Sequence, residues 1–97
     1  AAERYADIAR MLGLPGNSNK GLIENLCALI DKMNDELNIP HTLEEFGVDE
    51  AEFNAKVDEI AVNAVGDACT GSNPRAIDPA TMAKLFKCTY YGTEVDF

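Results

Sequence analysis

Seven consecutive residues, Cys69-Thr70-Gly71-Ser72-Asn73-Pro74-Arg75, bring a thiol, two hydroxyls, a carboxamide and a guanidinium into one short stretch. Two kinds of chemistry suit such a set. The Cys69 thiol is a nucleophile once a base has taken its proton. The hydroxyls, the N–H groups of a tight turn and the fixed cation of Arg75 suit an anion such as a phosphate. The sole histidine, His41, lies far away in sequence between Pro40 and Thr42, so local spacing supplies no base for the thiol. The same residues also read as a plain helix-to-helix turn, with Asn73 held extended by Pro74 and Arg75 paired with Asp67 or Asp78. Composition leaves these readings open. Downstream, Tyr90-Tyr91-Gly92 reads either as a pocket or partner surface or as half-buried anchors at a helix end.

Other site chemistries find less support. Catalytic metals commonly take two or more histidines, and one is present. The acidic residues lack the spacing of a calcium loop, and no phosphate loop or dinucleotide fingerprint occurs. The cysteines, Cys27, Cys69 and Cys88, are odd in number and have no metal-knuckle spacing. Cys27 and Cys88 fall in helical patterns and are expected to pack as small apolar residues. A reduced, cytoplasmic setting fits this usage.

The elements that must position the loop are helical. At residues 2–13, Tyr5, Ile8, Ala9 and Leu12 follow the i, i+3, i+4, i+7 series of a helix with one buried face. Gly13 suits the left-handed residue that ends it. Asn17, Ser18 and Asn19 are all suitable N-caps for the next and longest helix. There Leu22, Leu26, Leu29 and Met33 form one ridge and Ile23, Ile30 and Leu37 another, with Asn38 and Pro40 closing it. Thr42 and Glu45 form a capping box for a short helix ending at Gly47, and Asp49 and Glu52 repeat the device. The helix so opened carries Phe53, Val57, Ile60, Ala61 and Ala64 on one side. After the loop, Asp78-Pro79 starts the last helix, with Met82, Leu85, Phe86 and Thr89 on its stripe and residues 93–97 as a tail. No strand pattern appears. The expectation is an all-α helical bundle of about four main helices plus a short one, forming a single helical domain over 1–97.

A chain of 97 residues with 46% apolar and 26% charged side chains has the composition of one folded domain. Its net charge of −9 argues against nucleic acid and against anionic membranes as partners. No apolar run is long enough for a membrane span. The chain opens Ala1-Ala2-Glu3 without Met, which suggests a processed protein or a piece of a longer one.

Asp67-Ala68-Cys69-Thr70-Gly71-Ser72-Asn73-Pro74-Arg75, followed by a helix ending in Tyr90-Tyr91-Gly92, resembles the C-terminal end of iron-dependent (group III) alcohol dehydrogenases. It is most similar to the alcohol dehydrogenase half of bifunctional aldehyde–alcohol dehydrogenases. Arg4-Tyr5-Ala6-Asp7-Ile8-Ala9 resembles the family's first helix after its metal site, Leu37-Asn38-Ile39-Pro40 its Gly-Ile-Pro loop, and Phe46-Gly47-Val48 the Gly-Val before the next helix. The likeness covers nearly the whole chain, and the Cys-Thr-Gly-x-Asn-Pro-Arg run is its specific part.

The resemblance implies a longer, dehydroquinate-synthase-like enzyme with a dinucleotide-binding domain followed by a helical one. Its ferrous ion, held by an Asp and three His, acts as a Lewis acid on the substrate oxygen, and a nicotinamide, NAD or NADP, exchanges hydride with a primary alcohol or aldehyde. All four ligands belong to segments before Ala1, and His41 matches none. On this reading the chain is a C-terminal fragment, inactive by itself, with no catalytic residue, no metal ligand and no cofactor of its own. Cys69 and Thr70 line the substrate and cofactor pocket, while Asn73, Pro74 and Arg75 hold the loop's shape. Its partner is the remainder of the parent chain, both cofactor domain and metal-bearing helices, and a homo-oligomer is compatible with it. Apolar surface bared by such a cut is expected to promote weak self-association. Two competing readings are a free-standing acidic helical interaction module and a small thiol enzyme using Cys69.

Overall fold

The computed structural model describes residues 1–97 and is all-helical, with four longer helices, a short one and no strand. The helices are α1 (Ala2–Met11), α2 (Asn19–Glu36), α3 (Leu43–Phe46), α4 (Glu50–Val65) and α5 (Pro79–Tyr91), with a 3-10 turn at Thr70–Ser72 between the last two. The chain divides into two compact units, Ala1–Ile39 and Pro40–Phe97.

The first unit is a helical hairpin. Beyond α1, Gly13 (φ 71°) sends its N–H to the Arg10 carbonyl while Leu14 N–H bonds the Ala9 carbonyl, which occupies the carbonyls the helix leaves open. Of the three N-cap candidates for α2, Ser18 takes the role: its Oγ accepts from Gly21 N–H at 3.1 Å. The connecting loop is tied down by Asn25, whose Nδ2 donates to the Pro15 carbonyl at 2.6 Å. Gly16 is required by close approach, since a Cβ there would lie 2.9 Å from both Cγ and the backbone nitrogen of Leu22. Asn38 (φ 56°) ends α2 in the left-handed conformation.

The core of this unit is small. Only Ala6, Ala9 and Leu22 are buried, with Leu14, Ile23 and Leu26 packed partly against them. This corrects the face expected for α1. Ala9 is inside, but Tyr5, Ile8 and Leu12 remain 49%, 44% and 55% exposed. The alanines let the two helix backbones approach closely, and that contact turns the bulkier side chains away from α2. Likewise Ile30, Met33 and Leu37 on the α2 stripe stay exposed, and so does Cys27, which is not packed as an apolar residue.

The second unit has a fuller core of Phe53, Val57, Ala61, Ala83 and Tyr90, flanked by Leu43, Val48, Met82 and Phe86. Each helix starts where its cap dictates. Thr42 Oγ1 accepts from Glu45 N–H at 3.0 Å, and the Glu45 carboxylate accepts from His41 N–H at 2.9 Å. Asp49 accepts from Glu52 N–H at 3.0 Å and Asp78 from Thr81 N–H at 2.7 Å. Gly47 (φ 103°) and Gly92 (φ 75°) end α3 and α5. Of the tyrosine pair, Tyr90 is buried, stacked on Phe53 with ring centroids 4.5 Å apart, and its hydroxyl donates to the Val48 carbonyl at 2.7 Å. Tyr91 is half-exposed and reaches Glu50 Oε1 at 3.0 Å.

Candidate functional site

The 69–75 loop joins the end of α4 to the start of α5, and its own side chains build it. Asp67 Oδ1 accepts from Cys69 N–H at 2.8 Å, which turns the chain just past the helix. Thr70 Oγ1 donates to the Ala64 carbonyl at 2.6 Å, joining the Asp67 N–H on an acceptor of the last turn of α4. Ser72 Oγ donates to the Cys69 carbonyl at 2.7 Å, and Asn73 Nδ2 to the Arg75 carbonyl at 2.5 Å. Arg75 Nη1 donates to the Phe97 carbonyl at 2.7 Å.

These bonds are those of a helix-to-helix turn. The hydroxyls of Thr70 and Ser72 donate to main-chain carbonyls, and the Asn73 amide and the Arg75 guanidinium each use a donor the same way. The turn reading holds, with a correction to its ion pair. Arg75 bonds neither Asp67 nor Asp78, because Asp67 closes the loop's first turn and Asp78 caps α5. The Asp78 carboxyl is held below its ordinary value of 3.8, first by the Thr81 N–H and then by the Thr81 side chain. Burial, and secondarily the charges of Glu44 and Glu50, push the Tyr90 phenol above its ordinary value of 10.0.

Around this framework the surface is concave. A depression of about 470 Å³ is lined by Cys69, Thr70, Asn73, Ile77, Met82 and Leu85, among others. Its walls are polar on the loop side and apolar on the α5 side. The Cys69 thiol is exposed, and Thr70 is partly buried. A smaller cavity of about 120 Å³ adjoins it, shaped by Asn73, Arg75, Ile77, Leu85, Val95 and Phe97. Asn73, Pro74 and Arg75 are exposed. No three His, Cys, Asp or Glu side chains converge so as to hold a metal ion, and no helix is long and apolar enough to cross a membrane.

The sequence did not single out Ile77, Val95 and Phe97 as part of this region. Ile77 sits alone between a turn and a cap, and residues 93–97 carry no helical periodicity. The one available signal was two apolar residues, Val95 and Phe97, spaced by two after a helix-ending glycine.

Comparison with known proteins assigns this arrangement a family. The model of the Fe-containing alcohol dehydrogenase family, C-terminal, matches residues 1–90. An NADPH-dependent butanol dehydrogenase of Clostridium saccharobutylicum is 53% identical over 95 residues, which is 98% of this chain and 24% of that protein. A bifunctional aldehyde-alcohol dehydrogenase of Escherichia coli is 42% identical over 96 residues, 97% of this chain and 11% of that protein. An NAD-dependent methanol dehydrogenase of Bacillus methanolicus is 33% identical over 87 residues, 88% of this chain and 22% of that protein. The chain therefore spans a quarter or less of the length of these relatives.

Proposed function

Given that the chain belongs to the iron-containing alcohol dehydrogenase family and matches its C-terminal part, we propose that it serves as the C-terminal helical portion of a longer enzyme. That enzyme interconverts primary alcohols and aldehydes with a nicotinamide cofactor, NAD or NADP. The observation that carries the reading is the match over residues 1–90, which takes in the 69–75 loop and the helices on either side of it.

Within this portion Cys69 and Thr70 line the pocket for substrate and cofactor. Asn73, Pro74 and Arg75 keep the loop in shape, consistent with their bonds to main-chain carbonyls. In this reading the iron ligands and the dinucleotide-binding domain belong to the remainder of the longer chain. The 97 residues alone are then inactive. Their partners are the cofactor domain and the metal-bearing helices, which would also cover apolar side chains such as Ile8 and Met33.

The test is to express the longer reading frame and assay alcohol-dependent reduction of NAD and NADP with ethanol and butanol. Turnover is expected from the long chain and none from residues 1–97. A bulky Cys69→Phe replacement in the long chain should raise KM for butanol about tenfold by filling the pocket. An active 97-residue chain, or an unaltered KM in the Phe variant, would overturn the assignment.

A further inference from the structure

We infer that residues 93–97 form a strap that positions the 69–75 loop, with Arg75 as the positioning residue through which the strap acts. The significance for the reaction rests on the preceding reading of that loop as pocket wall; the contacts themselves do not.

Gly92 turns the chain out of α5 with a positive φ of 75°. The five residues that follow are held against the second unit at three points. The Cys88 thiol lies 3.7 Å from the Glu94 carbonyl it donates to. Lys84 Nζ sits over the Phe97 ring, 5.8 Å from its centroid. The Phe97 carbonyl accepts from Arg75 Nη1 at 2.7 Å, across 22 residues of sequence. A charged donor on a carbonyl makes one of the stronger hydrogen bonds available to an exposed segment. Phe97 is accordingly only partly exposed.

Arg75 is held from two directions. Its own carbonyl accepts from Asn73 Nδ2 at 2.5 Å, so its backbone belongs to the loop. Its side chain belongs to the strap. Asn73 has little freedom to compensate, since it precedes Pro74 and sits extended at φ −63° and ψ 134°.

The two concavities share walls. Asn73, Ile77 and Leu85 line the small cavity that Val95 and Phe97 help to shape, and the same three line the larger depression at Cys69 and Thr70. A shift of the strap is therefore felt at the wall facing Cys69. The loop's other side-chain bonds lie at its α4 end, among Ala64, Asp67, Cys69, Thr70 and Ser72, so its α5 end is the part that depends on Arg75, in a segment exposed enough to open readily.

The test uses the full-length enzyme carrying this segment. Amide hydrogen exchange at residues 69–73 and steady-state kinetics are compared for the natural chain, Arg75→Ala, Arg75→Lys and Phe97→Ala. Arg75→Ala is expected to speed exchange at 69–73 about tenfold while leaving α2 unchanged. It should also raise KM for the alcohol more than it lowers kcat. Arg75→Lys retains a cationic donor and should recover part of both effects. Phe97→Ala removes the ring but keeps the carbonyl, so it should give the same pattern more weakly, and it carries the test should Arg75→Ala fail to fold. Unchanged exchange at 69–73 in the alanine variants would overturn the strap. Faster exchange with unchanged kinetics would uphold the strap and instead remove the loop from the pocket, sinking the preceding reading.

Discussion

The first half of the chain has the more strongly amphipathic helices, yet the second half buries the larger side chains. Residues Ala1–Ile39 enclose two alanines and one leucine, and leave Met11 87% and Leu37 69% exposed. Residues Pro40–Phe97 enclose Phe53, Val57 and Tyr90 with two alanines, and fasten their ends by bonds such as Tyr90 to Val48, 42 residues apart. Apolar burial scales with the area removed from water, so alanines contribute little and an aromatic pair a great deal. The difference teaches that an apolar stripe records a need for a partner without saying that the partner lies in the same stretch of chain. The second half meets most of its need internally, whereas the first does not.

The largest effect should come from breaking the better core. Phe53→Ala removes the ring stacked on Tyr90 and should cost about 3–5 kcal/mol, read from chemical denaturation of the 97-residue chain. Amide protection should fall in α3, α4 and α5 and persist in α1 and α2. Equal loss throughout would erase the distinction between the halves. Leu22→Ala is the counterpart, removing the one large buried side chain of the first half at a cost of about 2–3 kcal/mol. Its loss of protection should be confined to α1 and α2.

The pH dependence sharpens the contrast further, because both shifted groups lie in the second half. The Asp78 carboxyl is lowered in the folded chain, so its contribution is present above its ordinary value of 3.8 and disappears as pH falls through the folded value. The Tyr90 phenol is raised, so its contribution is present below 10.0 and disappears as pH rises through the folded value. Denaturation midpoints for α3–α5 should therefore fall at both extremes. Asp78→Asn keeps an N-cap acceptor and should flatten the acid limb while sparing the alkaline one.

The sequence carried most of the scaffold because helix ends are local events. Ser18, Thr42, Asp49 and Asp78 cap where a single side chain meets an N–H three residues on, and Gly13, Gly47 and Gly92 stop helices by their own φ. What escaped is non-local. On α1 the periodic series selected Tyr5, Ile8 and Leu12, but the fold buries Ala6 beside Ala9, because only small side chains allow α2 so near. In the loop, Pro74 and the turn-forming residues were legible as a turn. The partner of Arg75 was not, since no rule of spacing links it to a carbonyl 22 positions away. The aspartates offered nearer charges, and each was already engaged by backbone N–H groups.

The smallest expected change in stability is the one that tests the first half most directly. Ile8 and Leu12 project from α1 at 44% and 55% exposure, so replacing both by Ser removes only about half a side chain's burial at each. Folding stability of the 97-residue chain should fall by about 1–2 kcal/mol. Self-association should respond differently, because a contiguous exposed apolar face is what drives it. Sedimentation equilibrium should show the natural chain associating weakly at high concentration and the double variant remaining monomeric. In the longer enzyme the same pair of serines should be costly, since a face that meets other helices there would lose its packing. A double variant that destabilised the short chain more than Leu22→Ala does would mean that α1 already buries this face. One that left the long enzyme untouched would mean that nothing in it covers the face.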